Sequence, residues 1–400
     1  MPSVCFYFQV HQPYRLRNYS YFDVGQRHDY FDEAKNAEVL RKVAMKCYLP
    51  ANQTLLKLIE RHQGDFKVSF SITGTAVEQM EQYAPEVLRS FQTLAGTGCV
   101  EILGETYHHS LSAVYDEAEF RAQVRLHSKL MREVFGATPR TFRNTELVYC
   151  DRIGQLASDL GFGTVLAEGA DDVLDWRSPN WVYDVAGAPA RLLLKNYRLS
   201  DDVAFRFSNR AWDGFPLTAG KFAHWLHQVN GNGTNVNLFM DYETFGEHQW
   251  ASTGIFDFLA HLPVAVFADA GWDFTTPAAV AERYTSQGPI SFPRIVSWAD
   301  VGRDLTAWNG NRMQQSALAH VYELAADVAA HNNPTATDLW RKLLTSDHFY
   351  YMCTKWFADG DVHAYFSPYK SPYDAFINYM NALTDFRESV LGLATTKVCA

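Results

Sequence analysis

Seven short runs of apolar, β-branched or aromatic residues occupy the first 241 positions of the chain, at 4–10, 66–72, 99–103, 140–145, 163–167, 191–196 and 235–240. Segments of helical period, such as 52–61 and 117–135, lie between most of them. A near-continuous apolar strand needs cover on both faces, and strands alternating with helices return parallel to one another. The pattern therefore restricts the chain to a parallel β/α architecture. Seven strands suit an incomplete (β/α)7 barrel better than the eight-stranded form. Beyond about residue 300 the pattern changes to helices alone, at 312–331, at 335–344 behind Pro334, and at 371–391, which Ser371-Pro372 opens as N-cap and first helical residue. The expected division is a barrel with helical insertions over 1–300 and a C-terminal helical bundle over 301–400, packed on the barrel.

Four hundred residues, 47% of them hydrophobic and 20% charged, can bury a core of that size. The net charge of −10 argues against a nucleic-acid or anionic-membrane partner, since phosphate binding needs a basic face. A neutral sugar is compatible with it, and the 14% aromatic content supplies rings on which sugars stack, although a large core uses such rings too. No stretch of about 18 apolar residues suggests a membrane span. The opening Met1-Pro2-Ser3 runs directly into the first strand without the basic and small-residue marks of a signal peptide. The six cysteines (Cys5, Cys47, Cys99, Cys150, Cys353, Cys399) form no CxxC pair and read as reduced thiols, so a cytoplasmic location is expected.

Polar residues punctuate the apolar runs where a barrel needs chemistry. His11-Gln12-Pro13 follows the first run, Glu101 lies within the third, Glu146 follows the fourth and Asp241 follows the seventh. In β/α barrels the C-terminal ends of the strands surround one mouth. A lone carboxylate is usually a solvated surface charge, but one carried by a buried strand into a desolvated mouth is not. Two carboxyl groups flanking one bond, about 5 Å apart in the retaining case, are what glycosidic hydrolysis requires. If the strand persists past Asp241, Glu243 shares its face, and its charge is expected to keep Asp241 protonated. Arg143 or His11 is expected to hold Glu146 ionised.

The ordered set His11-Gln12-Pro13, Gly98-Cys99-Val100-Glu101 with His109 behind it, the Glu146 segment, and Asp241-Tyr242-Glu243-Thr244-Phe245-Gly246 resembles the characteristic regions of glycoside hydrolase family 57. A fifth region is expected around Trp308-Asn309-Gly310-Asn311, and Ser346-Asp347-His348 resembles the C-terminal segment of the shorter α-amylase-type members. The resemblance implies retaining cleavage of α-1,4-glucans or malto-oligosaccharides, with no metal and no cofactor. It assigns Glu146 as nucleophile and Asp241 as acid/base, and it sets His11, Glu101, His109, Glu243 and Trp308 at the sugar.

Three alternatives differ in class. A 4-α-glucanotransferase uses the same carboxylates with a sugar acceptor, and a non-catalytic carbohydrate-binding protein lacks one of them. A metal-dependent deacetylase needs an Asp-Asp after the first strand and histidines spaced i,i+4, which none of the 14 histidines are. His224 and His227 are expected in packing or surface roles, and the doublets Asp171-Asp172 and Asp201-Asp202 as loop charge. His108 is expected to point away from His109, and His348 is a candidate to reach the mouth. No oligomeric state is indicated.

Overall fold

The computed structural model describes residues 2–355 and 367–393. Its strands are β1 (Ser3–Val10), β2 (Val68–Ile72), β3 (Val100–Ile102), β4 (Thr141–Arg143), β5 (Thr164–Glu168), β6 (Val182–Val185), β7 (Arg191–Lys195) and β8 (Asn235–Asp241), with further two-residue strands at the margins. β8, β1, β2 and β3 pair in parallel, as do β4, β5 and β7. Two seams close the ring. At one, Gly104 donates to the Thr141 carbonyl and accepts from the Arg143 amide, both at 2.8 Å. Only glycine fits there, because a Cβ would come within 2.5 Å of the Phe162 ring. At the other, the Asn196 amide donates to the Asn237 carbonyl at 2.9 Å and Asn237 Nδ2 donates to the Leu194 carbonyl at 2.8 Å.

All seven expected strands are present, in a (β/α)7 barrel. The strand that the pattern did not reveal is β6, which runs antiparallel to β7 outside the ring. Side chains alternate along each strand, so each contributes to two cores. Cys5 and Tyr7 of β1 join Leu103, Leu166, Leu193 and Phe239 in a small cluster inside the barrel. Val4, Phe6, Phe8 and Val10 face outward and are covered by helices, among them Leu49–Arg61, Gly74–Tyr83 and Ile255–Phe267. Burying each such side chain contributes about 1.5–3 kcal/mol, which is why the runs are apolar without alternation.

Local signals define the helices. Glu117–Phe135 starts where the Asp116 carboxylate accepts from the amides of Ala118 and Glu119, and it stops at Gly136, which adopts φ 65°. The last long helix, Pro372–Asp385, opens on Ser371 as N-cap, as expected, with Pro372 at the start. The expected helix over 312–331 is two helices, Arg312–Glu323 and Ala325–His331, meeting at Leu324. Barrel residues Phe142, Val165, Leu192 and Leu194 share one core with Leu318, Leu343, Phe349 and Tyr379 of the C-terminal helices. The segment after β1 is also tied to those helices. Buried Asp385 accepts from Gly25 N at 2.7 Å and Tyr30 Oη at 2.6 Å, and pairs with His28 Nδ1 at 2.7 Å.

Among the described residues no helix is long and apolar enough to cross a membrane. Cys5, Cys47, Cys99, Cys150 and Cys353 are free thiols, and Cys399 lies outside the described residues.

Candidate active site

The inward-facing residues at the C-terminal ends of the strands converge on two carboxyl groups, Glu146 and Asp241. Asp241 ends β8 beside Gln9 of β1. Glu146 follows β4 in a tight turn at φ 57°, and Leu147 after it has φ 51°. Two consecutive non-glycine residues in the left-handed region cost on the order of 1–3 kcal/mol each, and such strain collects where side-chain direction matters. The turn is held by Leu147 N to the Asn144 carbonyl at 3.0 Å and Asn144 Nδ2 to the Val148 carbonyl at 2.9 Å.

Both oxygens of the Glu146 carboxylate are engaged. Oε1 lies 3.3 Å from His109 Nε2 and accepts from Ser346 Oγ at 3.1 Å, and Oε2 accepts from Trp298 Nε1 at 2.8 Å. Burial opposes its ionisation, but the His109 hydrogen bond and the charges of His109 and Arg143 outweigh that and lower its pKa. Asp241 behaves oppositely. Burial first and the Glu146 charge second raise its pKa to about 6, against the lowering charges of Arg143, His109 and Lys195. One carboxyl is held ionised and the other is poised to carry a proton.

Beneath and beside them lies Glu105, fully buried after β3. It accepts from Ser71 Oγ at 2.6 Å and Gln9 Nε2 at 3.2 Å, and pairs with His109 Nδ1 at 3.1 Å. Burial opposes its charge, yet His109 and Arg143 bring its pKa down to about 2. His109, itself at φ 53°, thus bridges two carboxylates. Burial lowers its pKa, and its bonds to Glu105 and Glu146 more than reverse this, to about 9. The ring of His11 stacks on it with centroids 4.0 Å apart and planes at 20°. Burial and the His109 charge lower the His11 pKa, although Asp347 acts to raise it. At neutral pH His109 is an imidazolium and His11 a neutral ring. His11 then donates from Nε2 to Asp347 Oδ2 at 2.9 Å and accepts at Nδ1 from Thr73 Oγ1 at 3.0 Å.

The far rim carries a second set of charges. Lys195, at the end of β7, lies 3.5 Å from Glu168 and 3.4 Å from Asp201, and Arg303 reaches Glu168 at 3.2 Å. Among the described residues no group of three or more histidine, cysteine, aspartate or glutamate side chains is disposed to hold a metal ion.

Five sequence expectations need correction. Glu101 is not at the mouth. It bonds Thr141 Oγ1 at 2.6 Å and the Ala278 amide at 3.0 Å, at the start of β4 and hence the opposite end of the barrel. Glu105 occupies the mouth instead, because β3 is only three residues long and the chain passes the rim after Leu103. Trp308 is buried in the core shared with the C-terminal helices, its ring 6.1 Å from Tyr350, and the tryptophan that reaches a carboxylate is Trp298. His348 bonds the Lys342 carbonyl, leaving its neighbours Ser346 and Asp347 to face the mouth. Glu243 does not continue a strand. A turn over Tyr242–Thr244 buries it against Tyr48 Oη and, at 3.3 Å, Gln12 Nε2. Burial and the Asp241 charge raise its pKa to about 8, so Glu243 is protonated where Asp241 titrates, and the carboxylate charge that raises Asp241 there is that of Glu146. His11 is likewise not what ionises Glu146; His109 and Arg143 are.

Of the residues missed, Glu105 was detectable as the Glu-x-x-x-His pair with His109. Trp298 carried no local signal, and Asp347 carried one only as part of the Ser346-Asp347-His348 segment, without a role.

The chain matches the family model for glycosyl hydrolase family 57 over residues 5–293. It is 41% identical over 399 residues to a protein of Methanocaldococcus jannaschii described as "Putative alpha-amylase", covering 96% of this chain and 84% of that one. Among solved structures it resembles a branching enzyme of Thermococcus kodakaraensis, with TM-score 0.68 and 13% identity, over 99% of this chain and 97% of that one. It also resembles a 4-alpha-glucanotransferase of Thermococcus litoralis, with TM-score 0.65 and 14% identity, over 87% of this chain and 56% of that longer one. At such identities these two likenesses concern the fold.

Proposed function

The chain belongs to glycosyl hydrolase family 57 and is a glycoside hydrolase, and from that premise we propose that it cleaves α-1,4-glucosidic bonds of starch- or glycogen-type glucans or malto-oligosaccharides with retention, Glu146 acting as nucleophile and Asp241 as acid/base. The observation that carries the reading is the asymmetry of the two carboxyl groups. Glu146 is ionised under three donors, and the Asp241 carboxyl, with a pKa raised to about 6, has no hydrogen-bond partner among the described residues that would compete with a leaving oxygen. The substrate class rests on the family and on the name of the relative in Methanocaldococcus jannaschii.

In the first step a Glu146 oxygen attacks the anomeric carbon, the glycosidic C–O bond breaks, and the Asp241 proton passes to the departing oxygen. In the second, Asp241 takes a proton from water, whose oxygen attacks the anomeric carbon as the ester to Glu146 breaks. His109 stays charged throughout and holds Glu105 and Glu146 apart. We divide the chain into a catalytic barrel over 1–300 and a second domain over 301–400, whose described residues are mainly helical and which contributes Ser346 and Asp347 to the site. We place the enzyme in the cytoplasm, with a glucan as its partner.

Incubation with maltopentaose tests the reading. Only shorter sugars are expected; a ladder extending above the starting length makes the enzyme a glucanotransferase, and no turnover of any α-glucan overturns the substrate class.

A further inference from the structure

Among the described residues Arg143 is the largest charged side chain with no exposure at all, and none of its three guanidinium nitrogens has a hydrogen-bond partner there. The nearest carboxylate oxygen, Glu105 Oε2, is 4.0 Å from Nη1. Removing such a cation from water costs several kcal/mol unless something offsets it. Two rings do so in part: the guanidinium carbon lies 4.6 Å from the centroid of Trp298 and 5.7 Å from that of Tyr7. A weakly hydrated, planar guanidinium suits this sandwich better than an ammonium does. The result is a fixed positive charge that no single carboxylate has claimed.

Its surroundings show what it faces. Tyr7 of β1, Glu105 beyond β3, Glu146 beyond β4, Asp241 of β8 and Trp298 surround it, with His109 acting on all three carboxyl groups and Lys195 on Asp241. Its charge lowers the pKa of Glu105, Glu146 and Asp241 alike. We infer that Arg143 is a positioning residue that serves as the shared counter-charge of the catalytic pair, stabilising one negative charge on the pair wherever in the cycle that charge resides.

The inference rests on the assignment of Glu146 and Asp241 above. Before attack, the Arg143 and His109 cations face Glu105 and ionised Glu146, and Asp241 is protonated. After attack, Glu146 is a neutral ester and Asp241 carries the charge, so the local sum is unchanged. A bidentate pair with either carboxylate would favour one half of the cycle and hinder the other. A cation held between rings and bonded to neither carboxylate favours neither, and as a fixed charge it needs no reorganisation as the negative charge moves.

The test is the pH dependence of kcat/KM in Arg143→Met and Arg143→Gln, with thermal unfolding recorded alongside. Loss of the cation destabilises both carboxylates, so both limbs should move to higher pH, by about one unit or more, with kcat lower on the order of tenfold to a hundredfold. Arg143→Lys, which keeps the charge, should leave the limbs closer to the parent positions than either neutral variant does. The inference is overturned if a folded neutral variant keeps both limbs in place, or if only one limb moves. If Arg143→Met does not fold, Arg143→Gln is read alone by the same criterion. Azide rescue of the Glu146 variant, described below, separates the two failures. Rescue with unmoved Arg143 limbs removes only the counter-charge, whereas failed rescue removes the assignment beneath it.

Discussion

Trp298 grips Glu146 at both ends: its indole Nε1 donates to Oε2 at 2.8 Å, and its own amide donates to the Glu146 carbonyl at 3.2 Å. The side chain and the strained backbone of one residue are thereby fixed by another lying 152 positions away. Trp298→Phe removes the indole donor and keeps a ring against Arg143. A hydrogen bond to a charged group contributes about 1.5–3 kcal/mol, so Glu146 should become harder to ionise. The acidic limb of kcat/KM should move up by about one unit, with the basic limb nearly still. A variant whose acidic limb stays in place would show that this bond does not set the charge of Glu146.

The two carboxyl groups should fail in different ways. Glu146→Gln should abolish turnover, and azide should restore it with an inverted glycosyl azide as product. Asp241→Asn should retain activity on aryl glycosides with good leaving groups, which need no proton. Azide rescue confined to the Asp241 variant, with retention, would exchange the two roles.

Glu243 gives a test in which the expected result is constancy. Its pKa is raised to about 8 by burial and by Asp241, so it is protonated across the pH range in which Asp241, at about 6, titrates. Replacing a neutral acid by the neutral amide in Glu243→Gln should leave the basic limb within a few tenths of a unit. A clear downward shift would mean that Glu243 is ionised at neutral pH and is the group keeping Asp241 protonated.

Asp385 should matter for stability and not for chemistry. Asp385→Ala strands the buried Tyr30 hydroxyl, at about 1–3 kcal/mol for a group left unsatisfied, whereas the amide of exposed Gly25 can turn to water, so unfolding free energy should fall by about 1–3 kcal/mol. Burial opposes the charge of Asp385, but its bonds to His28, Tyr30 and Gly25 prevail and lower its pKa. A carboxyl with a depressed folded-state pKa contributes stability above its unfolded value, and that contribution disappears as pH falls through the folded value. The parent should therefore lose stability on acidification more steeply than the alanine variant, as denaturant titrations at neutral and acid pH would record. Parallel slopes would mean that this carboxylate is not what fastens the segment after β1 to the C-terminal helix.

The barrel was legible in the sequence because burial on both strand faces leaves a continuous apolar run, and such a run can be read without knowing what covers it. The expected boundaries of β1, β5, β7 and β8 agree with the strands to within one residue, and Glu146 and Asp241 follow from them as groups that a buried strand delivers to its end. β6 escaped because it is a short antiparallel strand outside the ring. Glu101 and Glu105 show where the reading stopped: both point inward from the same segment, and only the length of β3 decides which one clears the rim. Trp298, Ser346 and Asp347 belong to no barrel strand, and their contacts with Glu146 and His11 span 152, 200 and 336 positions. Sequence alone determined that Glu146 and Asp241 reach the mouth, because strand direction and side-chain alternation are local properties. Only the tertiary structure decided which of them is charged, because ionisation in a dry site depends on the sum of hydrogen bonds and charges that distant segments bring to it.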